Sequence, residues 1–312
     1  MKSLVGYTGF VGSNIAAKGK FNNLYNSKNI SEAFGTKPDL LVYAGVRAEM
    51  FLANNFPEKD FTQIKEAFEN IKKIEPKQVV LISTISVYGE NPNGNEDTVI
   101  EEGKLTAYGK NRLWLENKVA EDFPNHLIIR LPALYGKNLK KNFIYDYIHV
   151  IPALLKKEKF EELCDKNETL KDFYKLQDNG FYKCRMLNSS EHRKLVDFFK
   201  AVGFSALNFT DSRSSYQFYN LGFLWENIQT ALSHRINKFN ITSEPLSIAE
   251  LYKYLDGKSF TNELPKQPFK QNLQSKYAEF FDGKNGYLFD RQFLMEDIKQ
   301  FVINQKNVEG IL

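Results

Sequence analysis

Short apolar runs alternate with longer amphipathic stretches through the first half of the chain. Two of these stretches have helical spacing: one is opened by Pro57 and reaches residue 73, and the other covers residues 106–121. Strands that alternate with helices pair in parallel through right-handed crossovers. The pattern therefore predicts an α/β fold with a doubly wound parallel sheet. The predicted strands are residues 3–5, 24–25, 40–44, 79–83 and 127–131.

The second half of the chain has a different pattern. Residues 142–157 mix aromatic, aliphatic and basic residues, and helices rich in lysine and glutamate follow. We therefore predict a nucleotide-binding domain over residues 1–137 and a substrate-binding part over 138–312. Residues around 216–232 are expected to return to the first domain, because a short apolar run there precedes an amphipathic helix.

A glycine-punctuated turn follows the first predicted strand. Gly6, Gly9 and Gly12 let the backbone turn sharply and pack the next helix closely, and that helix N-terminus offers free N–H groups to a phosphate. Their spacing is wider than in G-x-G-x-x-G, but strand, turn and helix come in the required order. The predicted cofactor-binding residues here also include Thr8, Phe10 and Val11.

Composition narrows the classes of partner. The net charge of +4 comes from 42 basic and 38 acidic residues spread along 312 positions, without the basic blocks typical of nucleic-acid binding. No apolar run has the ~18–20 residues that span a bilayer. The first strand begins at the start of the sequence, so we expect no leader segment and a cytoplasmic protein. Two cysteines without C-x-x-C spacing and four scattered histidines predict neither disulfides nor a metal site.

Hydroxyl groups cluster just beyond the fourth predicted strand. Thr84 and Ser86 follow its carboxyl end, which is the edge where open α/β sheets bind ligands. In the next predicted helix, Tyr108 and Arg112 are four residues apart and therefore share a face. A hydroxyl, a phenol and a cation are thus expected to meet at this edge.

These features together resemble the extended short-chain dehydrogenase/reductase family, in its nucleotide-sugar epimerase, dehydratase and reductase branch. The similar segments cover roughly the first 140 residues in the right order. They are Gly6-Tyr-Thr-Gly-Phe-Val-Gly12, Tyr43-Ala44-Gly45, Ser83-Thr-Ile-Ser-Val-Tyr-Gly89, Tyr108 with a cation four residues later, and Arg130-Leu-Pro-Ala-Leu-Tyr-Gly136.

The resemblance implies a Rossmann-like fold in which Tyr108 is the general acid/base and Thr84 holds the substrate oxygen. A phenol with a pKa near ~10 needs a neighbouring cation to act as a base at neutral pH. The family places lysine there, whereas this chain has Arg112, which can hydrogen-bond the nicotinamide ribose but stays protonated. The resemblance also implies cofactor contacts at Ala44, Gly45, Arg112 and Pro132, and substrate contacts at Ser86 and Tyr108.

Residues that are missing narrow the reaction. Family dehydratases carry an acid pair after the active-site threonine, and this chain has Ile85 and Ser86 there. Reduction of a keto-sugar, oxidation of a sugar hydroxyl, and 4-epimerisation all stay open. Candidate diphosphate ligands, with solvated surface groups as the alternative, are Lys140, Lys141, Asn142 and Arg213.

The segment after the second strand bears on the choice of cofactor. Asn26-Ser27-Lys28 stands where an acid would bond the ribose hydroxyls of NAD, so these residues favour NADP over NAD. The leading hypothesis is an NAD(P)-dependent oxidoreductase acting on a nucleotide-linked sugar in surface polysaccharide biosynthesis. A non-catalytic NADP(H)-binding sensor or scaffold is the alternative of another class. By analogy with the family, we expect a homodimer formed through the helices at 57–73 and 106–121.

Overall fold

The computed structural model describes residues 1–309, and their centre is a parallel sheet of six strands. Buried branched side chains form most of the inner strands, since both faces of such a sheet are covered by helices. The strands are β1 (Lys2–Val5), β2 (Asn23–Tyr25), β3 (Leu40–Tyr43), β4 (Val79–Thr84), β5 (His126–Leu131) and β6 (Lys238–Asn240).

The strand order is β6-β5-β4-β3-β1-β2, so the chain reverses direction across the sheet between β1 and β3. Val5 lies beside Tyr43 in this register, and both strands end there. A crevice opens at such a switch point because the loops leaving the two strands run in opposite directions. Only a 3₁₀ turn, Ile30–Ala33, lies between β2 and β3, so this crossover is shorter than a full helix.

Helices α1, α3 and α4 supply the loops and faces that border this crevice. Helix α3 begins with Pro57 and buries one apolar stripe against β3 and β4, while Thr106 caps the first turn of α4. The helices are α1 (Phe10–Lys18), α2 (Met50–Asn55), α3 (Pro57–Ile74), α4 (Ala107–Asp122), α5 (Phe143–His149), α6 (Lys157–Lys166), α7 (Ser189–Ala201), α8 (Leu224–Ser233), α9 (Ile248–Asp256) and α10 (Arg291–Glu309).

The chain divides into two compact units. The first unit contains residues 1–139, 215–246 and 269–295, and the second contains 140–214, 247–268 and the chain from 296 onward. The first unit has two large cores, one on each face of the sheet, with Leu4, Ile129 and Phe239 in one and Leu41, Ile71 and Val79 in the other.

The second unit has its own apolar core. Leu163, Leu170 and Phe199 are fully buried there, beside a small antiparallel sheet. The three strands of that sheet are Leu154–Leu155, Tyr182–Cys184 and Tyr174–Leu176. The remaining short strands of the described chain are Asn93–Gly94, Ala133–Tyr135, Ser215–Tyr216, Phe218–Asn220, Leu246–Ser247 and Asn272–Leu273.

The predicted fold class is confirmed, with differences in detail. The sixth strand of the main sheet, Lys238–Asn240, was not predicted, and residues 142–157 contain the short helix Phe143–His149. The last helix runs from Arg291 to Glu309. No helix within residues 1–309 is long and apolar enough to cross a bilayer.

Candidate functional site

A cleft of about 750 Å³ opens at the switch point between β1 and β3. Gly6 has a φ of +90°, and a Cβ there would come within 2.5 Å of the Ala44 carbonyl oxygen. Only glycine permits this approach between the two strand ends. The predicted cofactor residues that line the cleft are Gly6, Thr8, Gly9, Phe10, Val11, Asn26, Ser27, Ala44, Gly45 and Arg112.

The N-terminus of α1 faces this cleft. Gly9 is the N-cap residue and supplies no side-chain hydrogen bond, so the first turn of α1 is not capped by a side chain. Gly12 packs directly onto the preceding turn, because a Cβ there would lie 2.1 Å from the Gly6 carbonyl oxygen. Uncapped N–H groups and the helix dipole form an anion site of the kind that binds a pyrophosphate.

Replacing Gly12 with alanine is expected to lower the free energy of unfolding by about 3 kcal/mol and to weaken dinucleotide binding, because the added methyl meets backbone. Denaturant unfolding and a fluorescence titration with NADPH measure the two effects. Gly9→Ala is the matched control: its Cβ would lie 3.3 Å from the Gly6 oxygen, so we expect a cost below about 1 kcal/mol. Equal losses in both variants would contradict this description of the turn.

The turn after β2 forms one end of the cleft and is built by asparagine side chains. Asn26 Oδ1 accepts a hydrogen bond from the Lys28 N–H at 2.8 Å, and the Asn26 N–H donates to Asn29 Oδ1 at 2.8 Å. The Ser27 and Lys28 side chains are exposed, and residues 26–29 contain no acid. Gly12, Lys28 and Pro132 are the predicted cofactor residues outside the cleft lining.

Thr84 and Tyr108 meet beyond the carboxyl end of β4. Thr84 ends the strand and caps the following 3₁₀ turn, since its hydroxyl accepts a hydrogen bond from the Ser86 N–H at 3.2 Å. Tyr108 is in the first turn of α4, where its own N–H donates to Asn54 Oδ1 at 3.0 Å. The Thr84 hydroxyl is near enough to the Tyr108 phenol to lower its pKa. The structure thus brings together the two hydroxyls that the sequence pointed to.

Arg112 lies against the Tyr108 ring, with its guanidinium carbon 4.0 Å from the ring centroid. Each terminal nitrogen donates one hydrogen bond: Nη1 donates to Asp60, and Nη2 donates to the Arg47 carbonyl oxygen at 2.6 Å. The buried Nε–H has no hydrogen-bond partner among residues 1–309. A buried donor without a partner at the edge of a nucleotide cleft suits a ligand hydroxyl, so this site fits a ribose.

The pKa of Tyr108 is raised above its ordinary value, and the largest cause is burial of the phenol. The positive charge of Arg112 and the hydrogen bonding with Thr84 lower the pKa, and the negative charge of Asp60 raises it. Burial disfavours a phenolate because the low-dielectric surroundings solvate charge poorly. In the free protein, burial therefore outweighs the nearby cation in its effect on the Tyr108 pKa, and the role of Tyr108 as acid/base stays a prediction.

A buried polar network lies beneath Thr84. The Glu116 carboxylate accepts hydrogen bonds from Ser83 Oγ at 2.5 Å and from Arg130 Nη2 at 2.6 Å. Arg130 Nη1 donates in turn to the Tyr88 hydroxyl at 2.8 Å, and Tyr88 is also bonded to Asn240 on β6. This network joins β4, α4, β5 and β6. It holds Ser83, which precedes Thr84, and Tyr88, which follows it.

The predicted diphosphate ligands belong to the second unit. Lys140 and Lys141 are exposed, and Asn142 caps α5 by accepting a hydrogen bond from the Tyr145 N–H at 3.1 Å. Arg213 forms ion pairs with Asp211 at 2.7 Å and Glu263 at 2.8 Å. These carboxylates compete with any anion for the Arg213 guanidinium, so its role as a phosphate ligand stays a prediction.

Sequence reasoning missed Asp60 and Glu116. The sequence did contain a signal for Glu116. Tyr108, Arg112 and Glu116 follow one another at four-residue intervals, so they share one face of the helix. The sequence contained no such signal for Asp60, because Asp60 is 52 positions from Arg112 in the chain. Only the packing of α3 against α4 brings Asp60 and Arg112 together.

No family model and no curated protein matches the sequence. Structural comparison does find proteins with a similar fold. The chain matches a dTDP-4-dehydrorhamnose reductase from Yersinia enterocolitica with a TM-score of 0.61 and 14% identity, covering 96% of this chain and 98% of that one.

Two further matches illustrate the range of activities found on this fold. A dTDP-4-dehydrorhamnose reductase from Bacillus anthracis in complex with NADP matches with a TM-score of 0.62 and 13% identity, covering 97% of each chain. A UDP-glucose 4-epimerase from Thermotoga maritima with UDP-glucose matches with a TM-score of 0.61 and 14% identity, covering 99% of each. At such identities the comparison establishes the fold, and activity must be argued from the site.

Proposed function

We propose that this protein is an NADP(H)-dependent oxidoreductase that acts at a carbonyl or hydroxyl carbon of a nucleotide-linked sugar. The observation that carries the proposal is the meeting of Thr84, Tyr108 and Arg112 at the edge of a glycine-lined cleft. Nucleotide-sugar reductases and epimerases among the structural neighbours supply the substrate class by analogy. We further propose that the protein is a cytoplasmic homodimer and that it acts in surface polysaccharide biosynthesis.

Thr84, Tyr108 and Arg112 each have a separate role in carbonyl reduction. NADPH, when bound, supplies the hydride for the substrate carbon. Thr84 donates a hydrogen bond to the substrate oxygen, and Tyr108 gives that oxygen a proton as negative charge develops there. Arg112 offers its free Nε–H to the ribose hydroxyls, while its charge steadies the phenolate that Tyr108 becomes. In a hydroxyl oxidation the same proton moves in the opposite direction.

The proposal is tested by NADPH consumption with a panel of 4-keto nucleotide sugars, with cofactor affinity measured separately. Consumption that depends on the sugar supports a reductase. If an unmodified UDP-sugar is converted to its 4-epimer with no net change in the cofactor, the second candidate, a 4-epimerase, replaces it; the epimerases among the structural neighbours are the reason to test this. Cofactor binding without conversion of any sugar would favour the sensor or scaffold alternative.

Introducing an acid at Ser27 is expected to reverse the cofactor preference. Ser27 lines the cleft, and a carboxylate there would repel a 2′-phosphate while bonding to a free ribose hydroxyl. We expect Ser27→Asp to weaken NADPH binding at least tenfold, corresponding to about 1.4 kcal/mol, with NADH binding kept or improved. Calorimetric titration with each cofactor is the measurement.

Ser31→Asp provides the control for this change, since it adds the same charge at an exposed position outside the cleft lining. We expect it to leave the ratio of the two affinities close to that of the unaltered protein. An unchanged preference in Ser27→Asp would show that the turn after β2 does not contact the cofactor phosphate.

A further inference from the structure

Asp60 is a carboxylate that the reaction outlined above does not use, although it lies within the catalytic cluster. Its side chain is 11% exposed and forms an ion pair with Arg112, whose side chain is 5% exposed. Asn111 Nδ2 also donates to the same carboxylate at 2.8 Å. A charge so deeply buried, with two donors directed at it, is held in one position.

The groups around the Tyr108 phenol come from three elements. Arg112 is on the same helix, Asp60 faces it from α3, and Thr84 faces it from the end of β4. Helix α2 contributes Asn54, which is uncharged and bonds the Tyr108 backbone. The phenol therefore faces a cation whose charge is partly offset by an adjacent anion, and not an isolated cation.

We propose that Asp60 is a positioning residue that partly offsets the charge of Arg112 and so adds to the burial that keeps Tyr108 in its protonated, proton-donating form, which suits carbonyl reduction at neutral pH. An epimerase or a hydroxyl oxidase must begin with a deprotonated base, and this arrangement disfavours that state. The inference rests on the proposed function and adds the direction in which the reaction runs, which is carbonyl reduction.

The proton balance of the reduction follows from this arrangement. The hydride, released when a C4–H bond of NADPH breaks and the cofactor is oxidised to NADP⁺, would form a C–H bond at the carbonyl carbon, and the π electron pair of the C=O bond moves to the oxygen. That oxygen takes the Tyr108 proton and becomes a hydroxyl, which leaves a phenolate beside Arg112. Solvent then returns a proton to Tyr108. Asp60 exchanges no proton and acts through its own negative charge and through the position of Arg112.

The first test uses the protein without cofactor or substrate. The phenolate absorbance of Tyr108 is taken as the difference between titrations with and without Tyr108→Phe, because the chain has 16 tyrosines. We expect Asp60→Asn to move the Tyr108 titration downward by about one pH unit, a tenfold change in the phenolate fraction. Glu69→Gln, which removes an exposed carboxylate from the same helix, should leave it in place.

The second test follows rates in both directions against pH. In the unaltered protein we expect reduction to be flat through neutral pH and oxidation to rise with pH, since the two directions need opposite protonation states of Tyr108. Asp60→Asn should start the rise of oxidation about one pH unit lower, and Asp60→Glu should restore the original profile. A residue with only a structural role would change the amount of folded protein and not the profile.

An unchanged or upward-shifted titration in folded Asp60→Asn would overturn the inference about Asp60. That result is independent of the proposed function, because the titration needs neither cofactor nor sugar. Conversely, failure of every sugar to react, with the titration shift present, would refute the proposed activity and leave the link between Asp60 and Tyr108 standing.

Discussion

Tyr108→Phe is expected to lower turnover by about 10²–10⁴-fold, which is the usual contribution of a positioned general acid. The variant removes one hydroxyl and keeps the ring, and Arg112 packs against that ring at 4.0 Å. Cofactor affinity should therefore stay within about threefold of the unaltered protein. Steady-state rates and a direct NADPH titration, measured on the same preparations, separate the two effects.

Tyr88→Phe is a useful comparison for this experiment. Its hydroxyl belongs to the buried network, where it is bonded to Arg130 and Asn240, and not to the cleft. We expect this variant to lose stability, with a smaller loss of turnover per folded molecule. If Tyr108→Phe kept more than a tenth of the original rate with a reactive sugar, Tyr108 would not be the proton donor.

Glu116→Gln is expected to lower the free energy of unfolding by about 3–5 kcal/mol, which is typical when one partner of a buried ion pair is removed. The Glu116 and Arg130 side chains are each 1% exposed, so water cannot solvate the Arg130 guanidinium once the Glu116 charge is removed. The variant leaves a buried guanidinium without a counter-charge. Denaturant unfolding followed by circular dichroism measures the loss.

Glu121→Gln is the surface control on the same helix. Glu121 pairs with Lys118 in an exposed ion pair, and pairs of that kind contribute about 0.2–1 kcal/mol. The double variant Glu116→Leu with Arg130→Met should recover at least half of the loss, because it removes both buried charges together. A cost below about 1 kcal/mol for Glu116→Gln would show that the pair does not stabilise the sheet.

The sequence predicted the parts of the fold that depend on local pattern. Five of the six strands of the main sheet are apolar runs that precede turns or helices, and Pro57 and Thr106 mark the starts of two helices. The sixth strand, Lys238–Asn240, is three residues long and was missed. It takes its place by pairing with β5, a contact between residues about 110 positions apart.

The same distinction applies to the candidate site. The cleft glycines and the pairing of Tyr108 with Arg112 follow from strand–turn–helix order and from four-residue spacing, both of which can be read along the chain. Asp60 meets Arg112 only through the packing of α3 on α4, and Glu116 meets Arg130 only through the packing of α4 on the sheet. Such contacts decide charge balance and therefore proton direction, and no local pattern encodes them.

The most direct test of the central claim is transfer of label from the cofactor to the sugar. The protein is incubated with NADPH carrying deuterium at both nicotinamide C4 positions and with a 4-keto nucleotide sugar, and the product is analysed by mass spectrometry and NMR. We predict one deuterium bound to the former carbonyl carbon, and at least about a hundredfold less labelled product in the same time with Tyr108→Phe. A product without deuterium, or equal labelling by the variant, would contradict the account.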